Sequence, residues 1–219
     1  MYQLVIFDLD GTILDTLQDL ANAVNFAMQK NQMPLHTIDE VRQFVGNGIR
    51  KLMERSVPAG TETAVIDKVH ADFTGYYQVH CADNTAPYKG IPELLRHLKE
   101  NGIHTAVVSN KADYAVQSLC KQYFPDLFDA VAGEKEGIQR KPAPDSVNAV
   151  LSALHLTKEQ AIYIGDSDVD IATANHAGMP CISVAWGFRD IPFLKEHHAS
   201  RIVETVAELE KMLLQENAV

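Results

Sequence analysis

Leu4-Val5-Ile6-Phe7-Asp8-Leu9-Asp10-Gly11-Thr12 decides how the chain folds. Four consecutive apolar residues run into a carboxylate, the pattern of a strand buried on both faces with a functional tip. Similar runs follow at Thr105–Val108, Ala130–Ala132, Ala161–Ile164 and Cys181–Val184, with a weaker one at Arg201–Val203. Helical patterns separate most of them, at Pro92–Glu100, Ala112–Gln122, Asp145–Leu154 and Asp168–Ala177. Strands alternating with helices predict an α/β fold: a mostly parallel sheet, right-handed crossovers and helices on both faces.

One stretch breaks that rhythm. Leu17, Leu20, Ala21, Val24, Ala27 and Met28 recur at helical spacing. So do Val41, Phe44 and Val45, then Ile49, Leu52 and Met53, then Val65, Ile66, Val69 and Phe73. No strand pattern interrupts them. The reading is a helical insert at 15–82 placed after the first strand, with the α/β core formed by 1–14 and 83–219. Linkers fall near Ile13-Leu14 and Ala82–Tyr88.

Composition bounds the function. The 219 residues are 46% hydrophobic and 22% charged, an ordinary globular balance. Lys plus Arg total 19 against 29 acids, for a formal charge of −10. Such a chain repels phosphodiester backbones and anionic membranes, so no nucleic-acid or membrane partner is expected. No stretch approaches the ~20 apolar residues needed to span a bilayer, and Met1–Leu4 lacks the basic region of a signal peptide. Cys81, Cys120 and Cys181 are odd in number and far apart, which suits buried thiols and a cytoplasmic location better than disulfides.

In parallel sheets ligands gather beyond the carboxyl ends of the strands, and the polar residues fall there. Asp8 and Asp10 follow the first strand, Ser109 and Asn110 follow Val108, and Asp166 follows Gly165. In an extended segment Asp8 and Asp10 project to one side while Leu9 turns away. Two carboxylates at ~5 Å repel by roughly 3 kcal/mol at an effective dielectric of ~20. A bound cation or protonation of one acid must offset that. On its own the pair is equally an Asp-Gly turn leaving a strand.

Gly165-Asp166-Ser167-Asp168-Val169-Asp170 is the second acidic cluster, opening a helix after an apolar strand. Ser167 and Asp170 fit a capping box. A cap does not account for Asp166, and a helical start brings Asp166 and Asp170 to one face. Facing Asp8, they form an all-oxygen shell suited to a hard divalent ion, Mg²⁺ above all, with Asp168 left to solvent. Ser109 and Asn110, placed before a helix, suit either anion binding or an ordinary cap. Lys141, in Arg140-Lys141-Pro142-Ala143-Pro144, is either a solvated charge or the cation that a buried acidic cluster requires.

Together these residues resemble the haloacid dehalogenase superfamily and, within it, the phosphatases. Asp8-Leu9-Asp10-Gly11-Thr12 matches the first motif, Ser109 the second, Lys141 the third, and Gly165-Asp166-Ser167 with Asp170 the fourth. Val45-Gly46-Asn47-Gly48, Ser109-Asn110-Lys111 and Trp186-Gly187-Phe188 look similar to the phosphoglycolate phosphatase branch. The resemblance implies a Rossmann-like core with a mobile helical cap that excludes water on closing. It implies Asp8 as the nucleophile that becomes an aspartyl phosphate, and Asp10 as the acid and then the base. It further implies Mg²⁺ on the Asp8 carboxylate, the Asp10 carbonyl and Asp166, with Asp170 in support. Ser109, Asn110 and Lys141 would hold the phosphate. Asn47 and Arg50, with Lys51 nearby, are candidates to meet a substrate carboxylate or to remain solvated basic groups; Lys111 is placed with the solvated ones.

The expected activity is Mg²⁺-dependent hydrolysis of a small anionic phosphomonoester, with 2-phosphoglycolate as first choice. A pyrophosphatase, a sugar-phosphate phosphatase and a β-phosphoglucomutase-like phosphotransferase are the enzymatic alternatives. A phospho-accepting signalling module is the alternative of another class, set against by an acceptor on the first strand and by Asp10, which supplies an acid for turnover. The partner expected is a small phosphorylated metabolite, bound by a monomer or a homodimer. The nine histidines form no array suited to zinc.

Overall fold

The computed structural model describes residues 2–215. In chain order its elements begin with β1 (Leu4–Phe7), β2 (Leu14–Asp15), α1 (Leu17–Lys30), α2 (Ile38–Phe44), α3 (Gly48–Ser56), α4 (Thr63–His80) and β3 (Ala86–Pro87). There follow α5 (Ile91–Glu100), β4 (His104–Ala112), α6 (Asp113–Tyr123), β5 (Ala130–Glu134) and α7 (Asp145–Ala153). The remainder comprises β6 (Ala161–Gly165), α8 (Asp168–Ala177), β7 (Cys181–Val184), α9 (Ile191–Glu196), β8 (Ile202–Val203) and α10 (Val206–Gln215).

Six strands form one parallel sheet in the order β5-β4-β1-β6-β7-β8. Leu4 of β1 lies opposite His104 on one side and Ala161 on the other, so the first strand occupies the middle. Each residue of β1 is fully buried, which is why the run carries no polar alternation. Burial of such side chains is worth about 1.5–3 kcal/mol apiece. On one face Leu4 and Ile6 pack with Ala106, Val108, Tyr163, Val147 and Ala174. The chain continues from β1 to β4 on one side and reaches β6 on the other. That reversal opens a crevice at the carboxyl end of β1, where ligands of such sheets bind.

The chain divides into two compact units: Met1–Leu14 with Pro87–Val219, and Asp15–Ala86. It passes between them within β2 and within β3, which pair with each other. In the second unit the apolar stripe read from the sequence is the packed face: Leu17, Leu20, Ala21, Val24, Ala27 and Met28 of α1 are all buried. Val41, Leu52, Met53, Val69, Phe73 and Tyr77 join them. A capping box at Thr37 and Glu40 starts α2.

The second crossing falls at 86–87 rather than the expected 82–83, and a single carboxylate accounts for the difference. Asp19 of α1, 1% exposed, accepts from the backbone N–H groups of Asn84 and Thr85, the Asn84 amide and the Thr85 hydroxyl at 2.7–3.0 Å. Those residues are thereby tied to the helices. Ser109 and Asn110 also lie differently from expectation. They belong to β4, because pairing with β5 resumes at Ala112 after a register shift beyond Val108, and α6 begins only at Asp113.

Candidate active site

The turn after β1 is built around one carbonyl. Leu9 O accepts the N–H groups of Thr12, Ile13 and Leu14 at 3.3, 3.1 and 3.0 Å, so the chain folds back directly behind Asp8 and Asp10. Gly11 has a φ of +84°, and a Cβ there would lie 2.4 Å from Asp166 Oδ2. A glycine is required twice over, for the turn and for close approach. Asp8 N–H donates to Ile164 O at 2.9 Å, extending the β1–β6 pairing and fixing Asp8 beside the strand that leads to Asp166.

Asp8, Asp166 and Asp170 are buried together, with ligand oxygens all within 4.8 Å of one another. Lys141, 4% exposed, places Nζ 2.8 Å from Asp8 Oδ1, 2.7 Å from Asp170 Oδ1 and 3.1 Å from Tyr163 Oη. Lys141 is therefore the internal cation of the cluster and not a surface charge. Tyr163 donates in turn to Val108 O at 3.1 Å. The Asn110 amide donates to Lys141 O at 3.0 Å and anchors the proline-bounded loop that carries the lysine. Asp170 Oδ2 accepts from the backbone N–H groups of Asp166 and Ser167 and from the Ser167 hydroxyl at 2.6 Å. Capping and site-building are thus the same contact. Asp166 accepts from Phe188 N–H at 2.6 Å and from the Thr12 hydroxyl at 3.3 Å. Trp186 Nε1 donates to Thr12 O at 3.0 Å, packing its loop behind the turn. Asp168 is half-buried beside this group.

Charge in the cluster is unbalanced. Burial pushes the Asp8 carboxyl up to about 7, against Lys141, with Asp170 and Asp10 adding repulsion. Burial likewise drives Asp166 well above the carboxylate range, reinforced by Asp170 and Asp8. For Lys141 burial disfavours the ammonium, but Asp170 and Asp8 outweigh it and hold the group charged well above its ordinary value. Three buried carboxyl groups against one buried ammonium leave an excess of negative charge when all are ionised. Closely spaced hard oxygen donors with such an excess fit a divalent cation of the Mg²⁺ type. Asp170 is the most heavily engaged of the three, its two oxygens accepting from Lys141, Tyr163, the Asp166 and Ser167 N–H groups and the Ser167 hydroxyl, against two hydrogen bonds on Asp166. Asp8 and Asp166 are therefore the more available ligands.

Ser109 is buried within β4, where the register shifts, its hydroxyl accepting Lys111 N–H at 3.2 Å. Lys111 corrects the sequence reading: it is not solvated but 5% exposed, with Nζ 2.9 and 3.2 Å from the two Asp10 carboxylate oxygens. Asn47 and Arg50 belong to the helical unit. There Asn47 Oδ1 accepts from Arg55 at 2.8 Å, and Arg50 is engaged by Glu54 at 3.2 Å and by Asp67. Sequence reasoning missed Lys111, Tyr163 and the Phe188 N–H. The first two had a residue type to flag them, and the third, a backbone group, had none.

A family model described as haloacid dehalogenase-like hydrolase matches residues 5–184. The phosphoglycolate phosphatase of Cereibacter sphaeroides (strain ATCC 17025 / ATH 2.4.3) is 35% identical over 193 residues, covering 86% of this chain and 87% of that relative. A solved structure from Lactobacillus delbrueckii subsp. bulgaricus, a candidate phosphoglycolate phosphatase, superposes with a TM-score of 0.93 at 37% identity, covering 97% and 98% of the two chains. CbbY from Rhodobacter sphaeroides in complex with phosphate superposes with a TM-score of 0.78 at 26% identity, covering 95% and 96%. Among the described residues no helix is long and apolar enough to cross a membrane. With the family model spanning both the first strand and the second acidic cluster, the chain belongs to the haloacid dehalogenase-like hydrolases and is one of their phosphatases.

Proposed function

We propose that the protein hydrolyses 2-phosphoglycolate with the help of Mg²⁺ and through a phosphorylated Asp8. The observation that carries this reading is the buried Asp8–Lys141–Asp170 contact beside Asp166. A carboxylate held by one ammonium at the switch point of a parallel sheet is oriented for attack, not merely for solvation. Similarity to a curated phosphoglycolate phosphatase supports the substrate.

In the first half-reaction an Asp8 oxygen bonds to phosphorus as the ester P–O bond breaks, and Asp10 gives its proton to the departing glycolate oxygen. In the second, Asp10 as carboxylate takes a proton from water. That water attacks phosphorus and restores Asp8. Asp8, the Asp10 carbonyl and Asp166 would hold Mg²⁺, with Asp170 supporting them. The ion, when bound, neutralises charge on the phosphoryl group. Ser109, Asn110 and Lys141 are assigned to the phosphate. Lys141 has all three N–H donors engaged by Asp8, Asp170 and Tyr163, so to reach a phosphate oxygen it exchanges one, Tyr163 Oη being the neutral acceptor and the most weakly held. Asn47 and Arg50 are assigned to the glycolate carboxylate, and Arg50 must loosen its hold on Glu54 or Asp67 to act.

The test is a panel of phosphoglycolate, pyrophosphate, hexose phosphates and xylulose phosphates with Mg²⁺, scored by phosphate release and by sugar phosphate isomerisation. Phosphoglycolate should give the highest kcat/KM. A hexose phosphate or pyrophosphate turned over faster, or isomerisation without phosphate release, would reject the assignment.

A further inference from the structure

Lys111 is a buried cation that the motifs of the site leave without a role. Its side chain is 3% exposed and that of Asp10 20%. Burying an ammonium costs several kcal/mol unless a well-placed partner offsets it, and here Nζ spans both Asp10 oxygens at 2.9 and 3.2 Å. The backbone is shaped to deliver this contact. The register of β4 against β5 shifts between Val108 and Ala112, and an irregularity of that kind re-aims the side chains it carries. From β5, Gly133 closes on the same segment. A Cβ there would lie 2.7 Å from Lys111 O and 2.4 Å from Asp113 Cα, and Gly133 N–H donates to Asp113 Oδ1 at 2.9 Å. The Ser109 hydroxyl holds Lys111 N–H from the other direction.

We propose that Lys111 is a positioning residue for the acid–base carboxylate. Its contact fixes the rotation of the Asp10 carboxyl plane. The ammonium spans both oxygens of the carboxylate, and in the acid form it keeps the unprotonated oxygen while the other presents its proton to the ester oxygen. As the P–O bond breaks, the proton passes from Asp10 to that oxygen and the bonding pair of the O–H becomes the negative charge of Asp10. The ammonium at hydrogen-bond distance stabilises that charge as it forms. The inference rests on Asp10 being the acid, and the experiment separates the two claims.

Three substrates divide the possibilities. 4-Nitrophenyl phosphate expels a leaving group that is stable as an anion. 2-Hydroxyethyl phosphate and phosphoglycolate both expel an alkoxide that needs a proton, and only the latter bears a carboxylate. kcat/KM reads the cleavage step without the later hydrolysis of the phosphoenzyme. Asp10→Asn should lower kcat/KM for both alkyl esters by roughly 10²-fold or more and change the nitrophenyl ester by less than about threefold. Lys111→Met should lower both alkyl esters alike, by about tenfold or more, with the nitrophenyl ester again within about threefold. Circular dichroism and Tm check the fold of each variant, and Lys111→Gln should repeat the pattern where methionine perturbs the fold. The nitrophenyl comparison is read in kcat/KM alone, because phosphoenzyme hydrolysis also uses Asp10. The double variant should be no slower than Asp10→Asn alone, because the two residues act as a unit. Loss confined to phosphoglycolate would mean that Lys111 reads the carboxylate, and would overturn the inference. So would equal loss on all three esters, no loss on any, or additivity with Asp10→Asn. If Asp10→Asn itself shows no dependence on the leaving group, the acid assignment fails first, and the inference with it.

Discussion

Replacing Asp8 by asparagine removes a charge that the fold holds at a cost. The Asp8 side chain is buried beside Asp166 and Asp170, and burial moves its carboxyl from the ordinary 3.8 up to about 7. Between those two values the folded protein keeps a proton that the unfolded chain has released. A folded-state value raised in this way makes stability fall as pH rises through the window, by about 1.4 kcal/mol per pH unit. Over the whole window the loss amounts to about 4 kcal/mol. Asparagine cannot ionise, yet its amide oxygen can still accept from Lys141. In EDTA, Asp8→Asn should therefore exceed wild type in stability, and its advantage should grow by about 3 kcal/mol between pH 5 and pH 8. Urea unfolding followed by circular dichroism at several pH values measures this directly. Mg²⁺ should narrow the difference at pH 8, since a cation held by the Asp8 carboxylate favours its charged form. An advantage that stays constant from pH 5 to pH 8, or one that shrinks, would refute the argument that burial outweighs Lys141 at this carboxylate.

Thorough chelation should abolish phosphate release and added Mg²⁺ restore it, with Tm rising on addition; unchanged initial rates in EDTA would remove the metal from the account. Asp19→Ala strips the acceptors from the Asn84 and Thr85 N–H groups, and should cost about 3 kcal/mol in urea unfolding; a loss below about 1 kcal/mol would show that water replaces the carboxylate freely. Arg50→Ala should chiefly raise KM for phosphoglycolate, with kcat little changed. An equal rise for 2-hydroxyethyl phosphate would dissociate Arg50 from the carboxylate.

The architecture was legible because its signals are physical and local. A parallel strand buried on both faces must be a short apolar run, and β1, β6 and β7 are such runs. The helical unit announced itself through a stripe that is the buried face of α1. The helices Ile191–Glu196 and Val206–Gln215 lie outside the elements those patterns singled out. The first is a short piece begun by the Asp190 cap. The second is anchored chiefly by Leu209 and Leu213, a thin stripe in an acidic segment. At the site, Asp8, Asp166 and Asp170 were readable from spacing and strand ends. Lys141 was ambiguous, since nothing in a proline-bounded basic loop tells whether the ammonium faces in or out. Lys111 was misread for a related reason: its direction is set by a register shift in β4 and by the absence of a Cβ at Gly133, both properties of strand pairing. Tyr163 looked like another core residue in an apolar strand, and its hydroxyl matters only because Lys141 lies beside it.

Whether phosphorus passes through Asp8 is best decided by trapping the enzyme during turnover. Asp10→Asn, which on the proposed mechanism should activate water slowly, is mixed with 4-nitrophenyl phosphate and Mg²⁺, quenched in acid within the first turnover, digested, and its phosphorylated peptide located by mass spectrometry. The phosphoryl group should sit on the carboxylate of Asp8, and Asp8→Asn should carry none. A phosphoryl group on any other residue, or rapid nitrophenol release with no labelled peptide in either protein, would contradict the account.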